Sequence, residues 1–343
     1  MPQRYQPPPY PPPDWHPQGR TPQYAPPPGP PPDYTGPQQS HVTFTSSSTP
    51  STSTTSTAPQ NPHNWQSIPD TSLLPPPPAL QNDHSPTANA SASEGEKAFR
   101  WCLANPLHRP VPLTPSQSAA TRAGDVDLLP PANFAGSVSS IHRGRLVVRS
   151  NAGCQDSCLQ TALPLYSALV DSPLRTGSER TVYFELKVLG VGEETFEEAE
   201  AGVAIGFLAR PFPEWRLPGW QRGSLGVHGD DGRRYVNDDF GGTDFTTSFR
   251  KGETVGLGMR FTPPPPAYDD GGGVGQGGMD VEIFFTREGK KVEGWDLHEE
   301  MDERKEGGVV GLEGEMDLFG AVGVFGAVEV EVVLRREEWL WKG

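Results

Sequence analysis

Five carboxylates crowd into the stretch from Asp230 to Asp244: Asp230, Asp231, Asp238, Asp239 and Asp244. Oxygen ligands at that density could hold calcium, and two carboxylates at a fixed separation could act as the acid and nucleophile of a glycosidase. Their setting favours a humbler role. Asp230 and Asp231 lie inside Gly229-Asp-Asp-Gly232, a turn signal in which aspartate bonds the amides just ahead of it. They read as turn acids or as the rim of a peptide-binding surface. The other candidates for catalysis fail on spacing. His298-Glu-Glu300 lacks the second histidine of a zinc-protease helix. Gly223-Ser-Leu-Gly226 is not a nucleophile elbow. The glycines at 271–278 follow a proline run and lead into no helix, so they do not cradle a phosphate. Cys154 and Cys158, with three residues between them and no second Cys or His pair nearby, make a poor zinc site. With Cys102 they read as small buried thiols in a reducing compartment. No catalytic centre, cofactor or metal is expected.

The elements around the acids are short strands. Gly223-Ser-Leu-Gly-Val-His228 alternates as a half-buried strand does, Tyr235 and Val236 begin the return strand, and Asn237 to Gly242 forms an exposed loop. Trp220, Arg222, Asp230, Arg233, Arg234, Asp239 and Phe240 are the candidate contacts for a client peptide. Guanidinium groups can bind a peptide carbonyl or carboxylate, and rings supply contact area at low entropic cost. Asp230 and Asp231 are expected to fix the turn, whereas Arg233, Arg234 and Phe240 have side chains longer than a turn requires. Further strands are read at Arg145–Arg149, Thr181–Val188, Gly202–Phe207, Glu253–Arg260, Val281–Thr286, Leu318–Val324 and Ala327–Leu334. That succession, divided by Gly, Pro and Asp turns, predicts an all-β antiparallel sandwich. Glycines inside the strands mark bulges or close backbone approach. Ahead of the strands, Glu96–Leu103 carries apolar positions at helical spacing for about two turns. Pro106, Pro110, Pro112 and Pro115 are expected to forbid regular structure after it.

Composition divides the chain. Residues 1–90 hold 25 of the 40 prolines, two basic and four acidic residues, and the Ser/Thr tract Ser46–Thr57. Such a segment cannot bury enough apolar surface to offset its ordering entropy. The expected division is a disordered tail over 1–93, a lead-in packing on the sandwich over 94–178, and the sandwich over 179–343, with a flexible insert at 263–278. Of the formal charge of −15, −13 falls on residues 91–343, which argues against nucleic acid or an anionic membrane surface as partner. Proline at position 2 and the lack of a long apolar run predict neither leader nor integral membrane segment. A cytoplasmic protein is expected.

Two PPxY motifs stand in the tail: Pro7-Pro8-Pro9-Tyr10 and Pro31-Pro32-Asp33-Tyr34. Proline pre-sets an extended polyproline II backbone whose ridges fit an aromatic-lined groove, while the tyrosine fills a second pocket. Pro7, Pro8, Tyr10, Pro31, Pro32 and Tyr34 are therefore read as contacts for WW domains. The separation of the two tyrosines corresponds to about 27 Å as a flexible coil, which suits two modules of one partner. A third match, Pro265-Pro266-Ala267-Tyr268, falls in the insert, where a plain flexible loop explains it as well.

Six pieces of the strand region resemble the SPRY (B30.2) domain: Tyr183-Phe-Glu-Leu-Lys187, Ala204-Ile-Gly-Phe207, Gly223-Ser-Leu-Gly-Val-His-Gly-Asp-Asp-Gly232, Gly252-Glu-Thr-Val-Gly-Leu-Gly-Met259, Ile283-Phe-Phe-Thr-Arg-Glu-Gly289 and Leu318-Phe-Gly-Ala-Val-Gly323. The resemblance implies a bent, concanavalin-like antiparallel sandwich without a catalytic centre, whose loops hold a partner's peptide. Within that family the chain is similar to fungal endosomal adaptors that use PPxY motifs to bring WW-containing HECT ubiquitin ligases to cargo. This implies ubiquitination and endosomal or vacuolar sorting of a client, and a peripheral place at endosomes. Three departures stand out: no membrane anchor, Val227 in place of a tyrosine, and the long insert. The alternative is a peptide- or carbohydrate-binding scaffold whose tail serves an unrelated WW or SH3 protein.

Overall fold

The computed structural model describes residues 90–192, 201–264, 279–299 and 308–343. The prolines and tyrosines of the two PPxY motifs in the tail, read as WW contacts, and Tyr268 of the third match lie outside them. Fourteen strands run through the described residues: β1 (Leu128–Leu129), β2 (Gly136–His142), β3 (Arg145–Ser150), β4 (Ser157–Thr161), β5 (Arg180–Val191), β6 (Gly202–Ala209), β7 (Ser224–His228), β8 (Arg233–Val236), β9 (Thr243–Asp244), β10 (Thr254–Thr262), β11 (Asp280–Arg287), β12 (Lys290–Asp296), β13 (Leu318–Phe325) and β14 (Val328–Val333). They form two sheets in the orders β1-β4-β13-β6-β7-β8-β9 and β12-β11-β10-β5-β14-β3-β2, and every ladder is antiparallel. The all-β sandwich expected from the strand succession is the observed fold.

Period-2 alternation makes the core. In β5, Val182, Phe184, Leu186 and Val188 face the facing sheet, and in β14 Val328, Val330 and Val332 do the same while Glu329 and Glu331 stay half-buried on the other side. Val203, Ile205 and Phe207 of β6 and Leu318, Val322 and Val324 of β13 meet them from the first sheet. These side chains bury branched or aromatic surface worth roughly 1.5–3 kcal/mol each.

Glycines govern what lies on the outer faces. Gly206 of β6 and Gly226 of β7 stand opposite each other, and Gly323 of β13 lies nearby on the same face. A Cβ on them would come within 2.6, 2.5 and 2.7 Å of Pro218. Three neighbouring strands thus offer a floor without side chains, and the segment Leu217–Gly219 lies directly on it. The His228 ring bonds the Pro218 carbonyl at 3.0 Å and fixes it there. On the opposite sheet Gly256 and Gly258 of β10 make room for the Tyr183 and Phe284 rings. Trp339 and Trp341 close over Tyr183 at centroid distances of 4.9 and 4.7 Å. The buried Glu185 carboxylate accepts the amides of Leu340 and Trp341 at 2.8 and 2.9 Å and the Tyr183 hydroxyl at 2.9 Å.

Two expectations change. The prolines after residue 105 do not exclude helix: Pro115 opens α2 (Pro115–Ala123) at a first-turn position, where its missing N–H has no helical partner to lose. Thr114 and Gln117 complete a capping box before it. The stretch 94–178 is also more than a lead-in, since β3 sits between β14 and β2 and β4 between β1 and β13. Its strands β1 and β2 escape notice in the sequence because one is two residues long and the other, GSVSSIH, is mostly exposed. The helix read at Glu96–Leu103 is present and longer, as α1 (Ala92–Ala104) with Ser91 as its N-cap.

The glycine floor predicts unequal tolerance to one methyl group. Gly226→Ala drives a Cβ against the Pro218 carbonyl and should cost roughly 1–3 kcal/mol. Gly190→Ala in β5, where the nearest atom to a new Cβ is 4.0 Å away, should stay within about 0.5 kcal/mol of wild type. Denaturant melts of the two variants check this.

Candidate peptide-binding groove

The segment that crosses the glycine floor carries the site. Leu217 and Trp220 pack with Tyr235 and Phe325 into a small cluster of their own. Above it the Arg216 guanidinium, 1% exposed, stacks over the Trp220 ring at 4.3 Å and approaches Asp239 at 3.5 Å. Its Nε and Nη1 are buried and have no hydrogen-bond partner among the described residues. Burial pushes the Arg216 pKa down, and the charges of Asp239, Asp156 and Glu94 pull it back. Gln221 donates to the same Asp239 oxygen at 3.1 Å.

The loop after β8 is built by Asp238. This buried carboxylate accepts the amides of Phe240 and Gly242 at 2.8 and 2.9 Å, and that turn lifts the Phe240 ring into solvent at 60% exposure. Burial raises the Asp238 pKa while the backbone bonds lower it. At the tighter turn, Gly232 takes the positive φ of 74°, and Asp231 accepts from the Arg233 amide and the Tyr235 hydroxyl, both at 2.8 Å.

The seven candidate residues separate. Trp220, Arg222 and Asp239 line one hollow, and Asp239 and Phe240 line a second beside it. Arg233 does not reach out: it is 3% exposed, pairs with Asp244 at 3.1 Å and donates to the Gly242 carbonyl at 2.9 Å, tying β8 to β9. Arg234 is 13% exposed, pairs with Glu299 and lies over the Trp295 ring at 5.1 Å. Both arginines, read as candidate client contacts because their side chains are longer than the turn requires, are held in ion pairs of the fold. Asp230 is half-buried at the turn, where its carbonyl accepts from Ser248 at 3.0 Å.

Helix α1 forms the other wall of both hollows and was not foreseen there. Phe99 lines both, and Leu103 and Cys102 line the first. Arg222 reaches across to the carbonyls of Cys102, at 3.4 Å, and Asn105. Trp101 meets Trp215 edge-on at 5.9 Å, and the Lys97 ammonium sits 4.6 Å above the same ring. Only Ala98 and Cys102 of the helix are buried, whereas Phe99 and Leu103 stand 60% and 70% exposed. The signal lay in the i, i+4 pair Phe99 and Leu103, too large for a helix that docks through its small residues.

Among the described residues, no three His, Cys, Asp or Glu side chains converge to hold a metal. Asp231, Asp238, Asp239 and Asp244 are engaged with backbone amides, Tyr235, Gln221 and arginines instead. All three cysteines are free and buried, and burial pushes the Cys158 thiol far up. Among the described residues no helix is long and apolar enough to cross a membrane.

No family model matches the chain. A SPRY domain-containing protein of Schizosaccharomyces pombe is 30% identical over 139 residues, which cover 40% of this chain and 28% of that one. The protein ssh4 of Sclerotinia sclerotiorum is 32% identical over 111 residues, 32% of this chain and 17% of its own length. The sandwich is similar to SPRY domains. A human SPRY domain of known crystal structure aligns over 61% of this chain and 97% of its own, at 21% identity and a TM-score of 0.36. The chain spans only about a quarter or less of the curated relatives it matches. It is similar to SPRY domain-containing proteins and to fungal ssh4 proteins.

Two outcomes test this division of labour. Arg233→Ala removes the buried guanidinium that bonds the Gly242 carbonyl and the half-exposed Asp244 and should cost roughly 1–3 kcal/mol of stability, while Phe240→Ala should leave the melting curve within about 0.5 kcal/mol of wild type. The second concerns Asp156, whose carboxyl burial raises from 3.8 to about 6 against the attraction of Arg216. The folded protein holds this proton more tightly than the unfolded chain does. Its contribution therefore favours folding at acid pH and is lost as pH rises from about 4 to about 6. Asp156→Asn should flatten the stability profile across that window and stabilise the protein at neutral pH by on the order of 1–2 kcal/mol, read from denaturant melts in a pH series.

Proposed function

We propose that the chain is a non-enzymatic adaptor. Its SPRY domain takes a client peptide on the surface formed by Trp220, Arg222, Asp239 and Phe240, beside α1. Its PPxY motifs recruit a WW-domain HECT ubiquitin ligase, so that the client is ubiquitinated and sorted through endosomes or the vacuole. The observation that carries the reading is the exposed Phe240 ring, 60% in solvent, beside the two adjoining hollows lined by Trp220, Arg222 and Asp239. Exposed apolar surface gathered beside a few convergent polar groups is what a peptide site offers. Arg222 and Asp239 supply the donor and acceptor that would fix a peptide backbone. The similarity to Ssh4 proteins and the paired PPxY motifs support the ligase half.

The two halves are separable in one pull-down on intact protein. Phe240→Ala should weaken client capture by roughly 1–3 kcal/mol without changing ligase recruitment. Tyr10→Ala and Tyr34→Ala should each weaken binding to a tandem WW protein. The double change should weaken it far more, because two linked sites gain roughly 10² to 10⁴ through effective concentration. Wild-type binding of tandem WW domains by the double variant would end the ligase reading, and unchanged client capture by Phe240→Ala would move the client site elsewhere.

A further inference from the structure

Helix α1 sits on the sandwich the way a ligand would. It meets the segment 210–223 and the loop at Asp239 with its smallest residues turned inward and Trp101 and Lys97 against Trp215 at the edge. Gly95 leaves so little space that a Cβ there would lie 3.0 Å from Asp239, and Ala98 and Cys102 are the two buried positions. These three follow each other at i, i+3 and i+7, one face of a helix. Of its large apolar residues, Phe99 and Leu103 point into solvent and contribute little to the docking, and Trp101 is half-buried, edge-on to Trp215. A helix held by so little buried apolar surface opens at lower free energy than the strands beneath it.

The surface under α1 is polar in a way the helix does not satisfy. Arg216 is 1% exposed, lines the hollow beneath the first turn, and keeps two nitrogens without acceptors among the described residues. Glu94, in that first turn, acts on it only through space. A carboxylate one step closer would satisfy the guanidinium, and helix N-termini favour an acid in the first turn. Arg222 already demonstrates the complementary contact by bonding carbonyls at the far end of α1.

Resting on the reading of this groove as the client site, we infer that it is a helix-binding groove filled by α1 from within the chain, and that a helical segment of the client takes the place of α1. The client helix would carry small residues at i, i+3 and i+7 and a carboxylate in its first turn that reaches Arg216. Lys97 over Trp215 marks where it would place a cation.

The test uses the full-length chain and a fluorescein-labelled peptide of residues 90–105 as the probe. Ala98 has no exposed surface, so Ala98→Arg drives the attached helix off while leaving the groove intact. The probe should bind Ala98→Arg at least about tenfold more tightly than wild type, because the competent state is no longer self-occupied. Adding Arg222→Ala should abolish that gain, and client capture by Ala98→Arg should rise. No gain in probe binding overturns the inference. Hydrogen exchange on the unaltered protein decides the matter even if Ala98→Arg folds poorly. The amides of α1 should exchange at least roughly a hundredfold faster than those of β6 and β13, and equal protection makes α1 part of the core and ends the proposal. If Phe240→Ala weakens client capture but Ala98→Arg does not raise it, the adaptor reading survives and the helix-exchange inference fails.

Discussion

The contact between Pro218 and the side-chain-free floor of Gly206, Gly226 and Gly323 supports everything described on that side of the molecule. A side chain at any of the three would meet Pro218 too closely for the segment to keep its place, and the ridge bearing Arg216, Trp220 and Arg222 would have to shift with it. The loop borrows the rigidity of three paired strands at a single point. The His228–Pro218 bond then sets its orientation, and the stacking of His228 on Tyr235 at 4.0 Å passes that constraint to β8. The groove is therefore placed by the sheet even though almost none of it is made of strand.

The fold was largely legible because its information is local. Strands such as Thr181–Val188 and Ala327–Leu334 alternate at period 2, and turn residues separate them, so little beyond neighbouring positions is needed to find them. The site was legible only where the same condition held. The turn role of Asp231 follows from residues two and four positions on, and the structure has both bonds. Arg233 and Arg234 were misread because their partners are remote: Asp244 enters through a two-residue strand, and Glu299 lies 65 positions away. Length of a side chain says how far it can reach and nothing about direction. For α1 the helix was visible, but its seat on a loop more than a hundred residues later has no trace in a hydropathy pattern.

Acidity takes on a different meaning once the partners are known. Much of the negative charge of the 230–244 stretch is spent inside the protein, on amides of the two turns and on Arg216 and Arg233. A cluster that looks like a cation site in one dimension is, in three, a set of braces. Each brace fixes a loop whose apolar side chain, Phe240 above all, is then held in water.

The far sheet carries a different consequence. β14 lies between β5 and β3, and the residues after it turn back so that Trp339 and Trp341 lie on Tyr183 while Glu185 grips two backbone amides. A mechanical load applied at Trp341 is borne first by this clasp of two hydrogen bonds and two indoles, and reaches the β14 ladders only after the clasp has peeled away. The molecule thus contains a weak link in series with a strong one: under tension it would yield in a small early step, with both sheets still closed.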